Sequence, residues 1–182
     1  YNINSDIKPS IYETNSFLIK KRPTLIEYAS FFGSDQIFKF LFKNEVELTP
    51  SLWIYTIHGN NPELIHILEQ NKIKPKDETF KECLEEAIKC HHNEIAFYIK
   101  NTIMENNDDP NFFEDFYGYG FRHYNFYFFT EGLGIKKTFY YSCKYNYFTL
   151  FELTLKSERF NITKAIVLNK YFVLNDVFKL YF

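Results

Sequence analysis

The sequence predicts an all-α fold, a solenoid of stacked helix–turn–helix repeats. Three observations carry that expectation. Small residues recur within short apolar segments at Ala29, Thr56, Ala87, Gly118 and Ser142, spaced 27, 31, 31 and 24 residues apart. Eight positions after each stands an apolar residue (Ile37, Leu64, Ile95, Phe126, Leu150), and eleven after it another (Phe40, Ile67, Tyr98, Phe129, Leu153). Four after each small residue comes a position placed to end a helix: Gly33, Asn60, His91, Arg122 and Asn146.

Taken in order, each unit reads as a short helical hairpin. The small residue lies in the first helix. The offsets of eight and eleven differ by three, which keeps both side chains on one face of the second helix. Gly33, Asn60 and Asn146 suit the left-handed conformation that ends a helix, whereas His91 and Arg122 depart from that preference. Asn61-Pro62-Glu63 reads as an N-cap, a proline at the first helical position and an acid in the first turn. Turn and breaker residues mark connectors at 44–50, 71–77, 101–110, 130–137 and 156–163.

The organisation that follows has three parts. Residues 1–23 form an N-terminal flank or partial repeat, 24–160 an array of about five degenerate repeats, and 161–182 a C-terminal partial or capping repeat. The last unit is the weakest, with Ala165, Asn169, Val173 and Val177 in roughly matching places. The chain starts at Tyr1 and stops at Phe182 within an apolar pattern, so it reads as a fragment. A linear array with uncapped apolar ends is expected to self-associate.

Composition narrows the function classes. The 46% hydrophobic and 24% charged residues are globular values, which argues against general disorder. A net charge of −2 and only three arginines (Arg22, Arg122, Arg159) disfavour a nucleic-acid binder. Cys83, Cys90 and Cys143 are an odd, sparse set, which suits a reducing compartment and an intracellular, cytoplasmic protein. No run is long and apolar enough to span a membrane; the richest, 165–174, is interrupted by Asn169 and Lys170.

Candidate chemistry is sparse. Cys83, Cys90, His91 and His92 are metal-ligand types, but zinc needs converging ligands, and the repeat places His91-His92 in a turn. No metal or other cofactor is expected. Gly118-Tyr119-Gly120 and Gly132-Leu133-Gly134 lack the lysine and hydroxyl residue of a phosphate-binding loop. Glu82, Glu85, Glu86 and Asp108-Asp109 read as solvated acids. No nucleophile has a histidine and an acid at suggestive spacing, so no catalytic residue is assigned. The aromatics Tyr28, Tyr55, Tyr117 and Tyr141 just before the small residue make a ladder that could stack bases, but packing between repeats accounts for it without the missing basic groove.

The wording of Thr24-Leu25-Ile26-Glu27-Tyr28-Ala29-Ser30-Phe31-Phe32-Gly33 resembles the helix and turn of the ankyrin repeat. Leu25 replaces the family's proline and Glu27 its histidine. Gln36-Ile37 and Phe40-Leu41 are similar to its second helix. Arg22 to Gly33, Leu48 to Trp53, Ile57-His58-Gly59 and Ile88 to Asn93 are closer still to a degenerate ankyrin branch expanded in certain protists, an uncharacterised domain family. The family's Gly-Ala-Asp loop is replaced here by Asn44-Glu45-Val46 and Asn71-Lys72-Ile73. The resemblance implies a non-enzymatic protein-interaction scaffold. On it, residues two and three after the small residue face a concave side, and the chosen partner-binding set is Phe31, His58, Lys89, Phe121 and Lys144, with connector residues Glu47 and Asp77. The competing expectation for Phe31 and Phe121 is that they pack on the next repeat. The partner is an unknown protein. The alternative is a regulatory or effector segment of a larger protein whose activity lies in its flanks.

Overall fold

The computed structural model describes residues 3–8, 10–104, 112–129 and 134–156. Among them the chain is all-helical, and the one extended pairing is an isolated bridge between Asp6 and Thr24. Two compact units divide it, Tyr1–Pro110 and Asn111–Phe182. The first holds α1 (Ser16–Lys21), α2 (Leu25–Phe31), α3 (Asp35–Lys43), α4 (Leu52–Gly59), α5 (Pro62–Gln70), α6 (Lys81–Lys89) and α7 (Asn93–Tyr98), which runs into a π-helical turn, Ile99–Ile103. The second holds α8 (Phe112–Arg122), a 3-10 turn (Phe126–Phe129), α9 (Ile135–Lys144) and α10 (Phe148–Lys156). The boundary falls in the 101–110 connector. The expected C-terminal repeat at 161–182 lies outside the described residues.

Local chemistry starts the helices. The Asn15 side chain accepts from the Phe17 and Leu18 amides at the head of α1. Thr24 and Glu27 form a reciprocal capping box on α2. Asn61 caps α5 through the Glu63 amide, with Pro62 at the first helical position.

The reversal between helices repeats in detail. Gly33, Asn60, His91 and Asn146 take positive φ at 61°, 49°, 59° and 59°, so His91 adopts the left-handed state despite its side chain. The next amide then bonds back to the small residue's carbonyl: Ser34 to Ala29 at 2.9 Å, His92 to Ala87 at 3.0 Å and Tyr147 to Ser142 at 2.8 Å. The fourth pair corrects the sequence register. Its left-handed residue is Tyr124 (φ 57°), not Arg122, and Asn125 bonds back to Gly120 at 2.9 Å. Gly120, not Gly118, is therefore the residue equivalent to Ala29. Gly118 lies two residues earlier in α8, where a Cβ would touch the Tyr141 ring.

The buried stripe of the second helices also shifts. Leu64 and Ile95 are buried at offset eight, but Ile37 is 51% exposed, and at offset eleven Phe40 and Leu153 are 63% and 62% exposed. The consistently inward positions are nine and twelve: Phe38 and Leu41, Ile65 and Leu68, Ala96 and Ile99. At about 100° per residue, nine and twelve lie about 60° apart, while eleven falls about 160° from nine. Offset eight sits at the edge of the apolar arc, which is why it looks regular in the sequence without being the core column.

These second helices end alike. Val46, Ile73 and Met104 amides bond back five residues to Leu41, Leu68 and Ile99 at 3.3, 3.0 and 2.9 Å. Glu45 and Lys72 supply the left-handed step at φ 61° and 56°. Asn44 and Asn71 side chains cap the preceding turn on Phe40 and Ile67 carbonyls at 2.7 and 2.8 Å. Asn44-Glu45-Val46 and Asn71-Lys72-Ile73 are thus helix C-caps with an apolar anchor.

Neighbouring pairs lock through backbone and side chain. Gly33 and Gly59 meet closely enough that a Cβ on Gly59 would collide with the Ser30 carbonyl oxygen and lie 2.8 Å from the Gly33 nitrogen. Asn61 Nδ2 donates to Gly33 O at 3.0 Å, His92 Nδ1 to Ile57 O at 2.8 Å, and Ser51 Oγ to the buried Glu27 carboxylate. Trp53 is fully buried, with its Nε1 donating to Ile73 O at 2.8 Å and its ring edge-on to Phe80.

Two stability outcomes follow from these contacts. Gly59→Ala should destabilise by about 3 kcal/mol, the upper end of overpacking costs, because backbone atoms must move. His91→Gly should stabilise by about 1 kcal/mol, since it relieves the left-handed strain at an exposed position. Urea denaturation of the two variants beside the parent checks both.

Candidate functional site

The common reversal gathers the C-terminal ends of α2, α4 and α6. His58 stands in the last turn of α4 and Lys89 in the last turn of α6, where cations complement the helix dipole. Glu86 and Cys90 are one turn apart on α6 and so share its face. Phe31 ends α2, and Phe17 comes from α1.

The contacts are continuous. The His58 ring lies 4.5 Å from Phe17 and 4.8 Å from Phe31, centre to centre, and Phe17 is also edge-on to the buried Tyr55 at 5.2 Å. His58 Nε2 is 2.9 Å from Glu86 Oε1; Nε2 is buried, and the approach is close in distance without hydrogen-bond alignment. Lys89 Nζ donates to the same Glu86 oxygen at 2.7 Å. Cys90 Sγ lies 3.5 Å from His58 Nδ1. Lys89 keeps 47% of its side chain exposed and Phe32 is 58% exposed beside Phe31, so the cluster reaches solvent at both ends.

Electrostatics set the protonation states. Burial works against charge on Glu86, but His58 and Lys89 outweigh it and hold the carboxyl down at about 2. Burial and then the Glu86 charge push the Cys90 thiol up to about 11, against a smaller opposing effect of Lys89. Thiol, imidazole and carboxylate are linked in the order of a nucleophilic triad. The thiol nevertheless sits at a helix C-terminus beside a carboxylate, surroundings that disfavour a thiolate. The arrangement holds charge; it does not activate sulfur.

Phe31, His58 and Lys89, three of the residues chosen from sequence, are thus brought into one cluster. The others have different surroundings. Phe121 is fully buried, stacked at 4.9 Å on Tyr141, which removes it from any partner surface. The register correction explains this: Phe121 follows Gly120 as Ser30, Ile57 and Ile88 follow their small residues, and all three are buried. Asp77 Oδ2 accepts from Thr79 Oγ1 at 2.8 Å and the Glu82 amide at 3.2 Å, closing the loop before α6. Glu47 is exposed in the loop after α3. Lys144 is exposed on the second unit, its Nζ 5.5 and 5.6 Å from the Tyr140 and Tyr145 ring centres.

The sequence grouping Cys83, Cys90, His91 and His92 separates. Cys83 is fully buried, with its thiol pushed far up chiefly by burial. His91 occupies the exposed left-handed turn, and His92 bonds to Ile57. His58 and Glu86 join Cys90 instead, a grouping that sequence reasoning missed; its signal was three columns of the repeat, one before, two after and three after the small residue. Among the described residues no helix is long and apolar enough to cross a membrane. The chain matches no protein-family model, and no curated protein or solved structure is significantly similar to it.

The pH response of Glu86 can be signed. Its folded-state value lies below the ordinary 4.5, so the stability it supplies is complete above about pH 5 and is lost as pH falls toward 2. Glu86→Gln should cost about 2–3 kcal/mol at neutral pH. The gap to the parent should close between about pH 5 and 2, read by denaturant titration across that range.

Proposed function

We propose that the chain is an ankyrin-like, non-enzymatic protein-interaction module that binds a protein partner at the C-terminal ends of its first helices. One observation carries the reading: Phe31, His58 and Lys89 come from three successive helix pairs at the same offset and form one contact chain, Phe31–His58–Glu86–Lys89. A half-buried aromatic patch with a charged, solvent-reaching rim is the composition of an anchored interface. The recurring reversal supports a stacked solenoid, since it gives every pair the same exit geometry.

With the corrected register, the column two after the small residue reads Phe31, His58, Lys89, Arg122 and Lys144. Among its first-unit members Lys89 is basic and keeps its side chain partly exposed, which favours a partner carrying acidic side chains. Phe121 leaves the proposed set, and Phe32 enters it through its exposure.

Affinity capture followed by binding measurements tests this. Phe32→Ala and Lys89→Ala should each weaken partner binding by about tenfold or more, and rising salt should weaken it further. Gln36→Ala, exposed on α3, should leave it unchanged. Retained binding in the first two with loss in the third would place the interface on the opposite side.

A further inference from the structure

We propose that His58, Glu86 and Cys90 form a binding site for a borderline-soft divalent transition metal, zinc being the best fit, that bridges α4 and α6. Each residue offers one donor atom, and the three donors lie within 4.8 Å of one another. All three residues are partly buried, so the site is neither sealed nor on open surface.

The donor set selects the metal class. A thiol and an imidazole suit zinc, cobalt and copper and exclude magnesium and calcium, which take oxygen ligands. Tetrahedral zinc, with bonds of about 2.3 Å to sulfur and 2.0–2.1 Å to nitrogen, holds that donor pair about 3.6 Å apart. Cys90 Sγ and His58 Nδ1 are 3.5 Å apart without an ion. The Glu86 carboxylate oxygen lies within 4.8 Å of both donors and is the third ligand of the proposed site. The fourth position remains for water, as in sites with three protein ligands.

The second observation is that the two ring nitrogens of His58 face the two other donors, Nδ1 the Cys90 thiol at 3.5 Å and Nε2 the Glu86 carboxylate at 2.9 Å. Coordination through one ring nitrogen fixes the tautomer and lets the other face Glu86 or the thiol. The surroundings favour a cation: both ligand-bearing helices end here, so their C-terminal dipoles point negative charge at the site. Lys89 now occupies the cation's place beside Glu86, and its exposed ammonium can swing out to water. On coordination the Cys90 thiol gives its proton to solvent and its lone pair to the metal; nothing is oxidised or reduced. The proposal does not depend on a protein partner.

The test uses the whole chain under reducing conditions, titrated with Co2+ and then with Zn2+ against a chromophoric chelator. One equivalent of cobalt should produce a thiolate-to-cobalt charge-transfer band, and zinc should abolish it stoichiometrically. Cys90→Ser and His58→Asn should lose the band and at least about 100-fold in zinc affinity, because loss of a direct ligand exceeds the 10–100-fold effect of outer-sphere changes. Glu86→Gln should weaken binding by tenfold or more, and Cys83→Ser and Cys143→Ser should keep the band. Absence of a band in the parent, or a band undiminished in Cys90→Ser, overturns the site. Should Cys90→Ser fail to fold, alkylation of the parent decides: zinc should slow modification of Cys90 but not Cys143, and equal rates with and without zinc overturn it.

Discussion

The left-handed residue four positions after each small side chain is the constraint on which the rest depends. It turns the chain so that the following amide bonds back to the small residue's carbonyl, at 2.8–3.0 Å in four pairs. That bond fixes where the second helix begins and therefore which of its faces points inward. The need for small residues has the same origin. Ala29, Thr56, Ala87, Gly120 and Ser142 are all buried, and Gly33 meets Gly59 backbone to backbone. Side chains at offsets just before and just after the small residue are carried along, which is how His58, Glu86 and Cys90 meet across 32 residues of sequence.

Much of this was legible in the sequence because it depends on residue size and periodicity. The small residues Ala29, Thr56, Ala87 and Ser142, the turn at Gly33 and Asn60, and the cap at Asn61-Pro62 each have a local physical signature, and each is where it was read. The errors came where that signature is degenerate. Gly118-Tyr119-Gly120 offers two small residues, and neither Arg122 nor Tyr124 is a natural left-handed residue, so spacing alone chose the wrong glycine. The inward face at offsets nine and twelve was hidden because Ile37 at offset eight and Phe40 and Tyr98 at offset eleven are apolar or aromatic and yet face water.

The site was harder to read than the fold for a different reason. Phe17 lies in the N-terminal stretch that fitted no unit, yet its ring packs on Phe31, Tyr55 and His58 and covers one side of the cluster. His58 and Cys90 occupy different offsets in different pairs, so no motif spacing joins them. Their proximity depends on the helix pairs lying side by side, which is long-range information. Cys90 was sorted with His91 and His92 because sequence neighbours are visible and spatial neighbours are not.

Charge at the helix ends ties the two functional proposals to the fold. Every first helix in the described residues of the first unit ends near the same cluster, and aligned carbonyls there favour cations. Lysine, histidine or a metal ion answers that field; a free thiolate does not. Burial and then the Glu86 charge keep Cys90 protonated beside an imidazole that could otherwise serve as its base. The field also sets a direction for selection between occupants. A divalent cation that displaces Lys89 from Glu86 would free the lysine ammonium at the exposed rim, next to Phe32's end of the same cluster. A cation bound inside and an acidic partner bound outside are therefore compatible in sign, since each contributes the charge that the other leaves uncompensated.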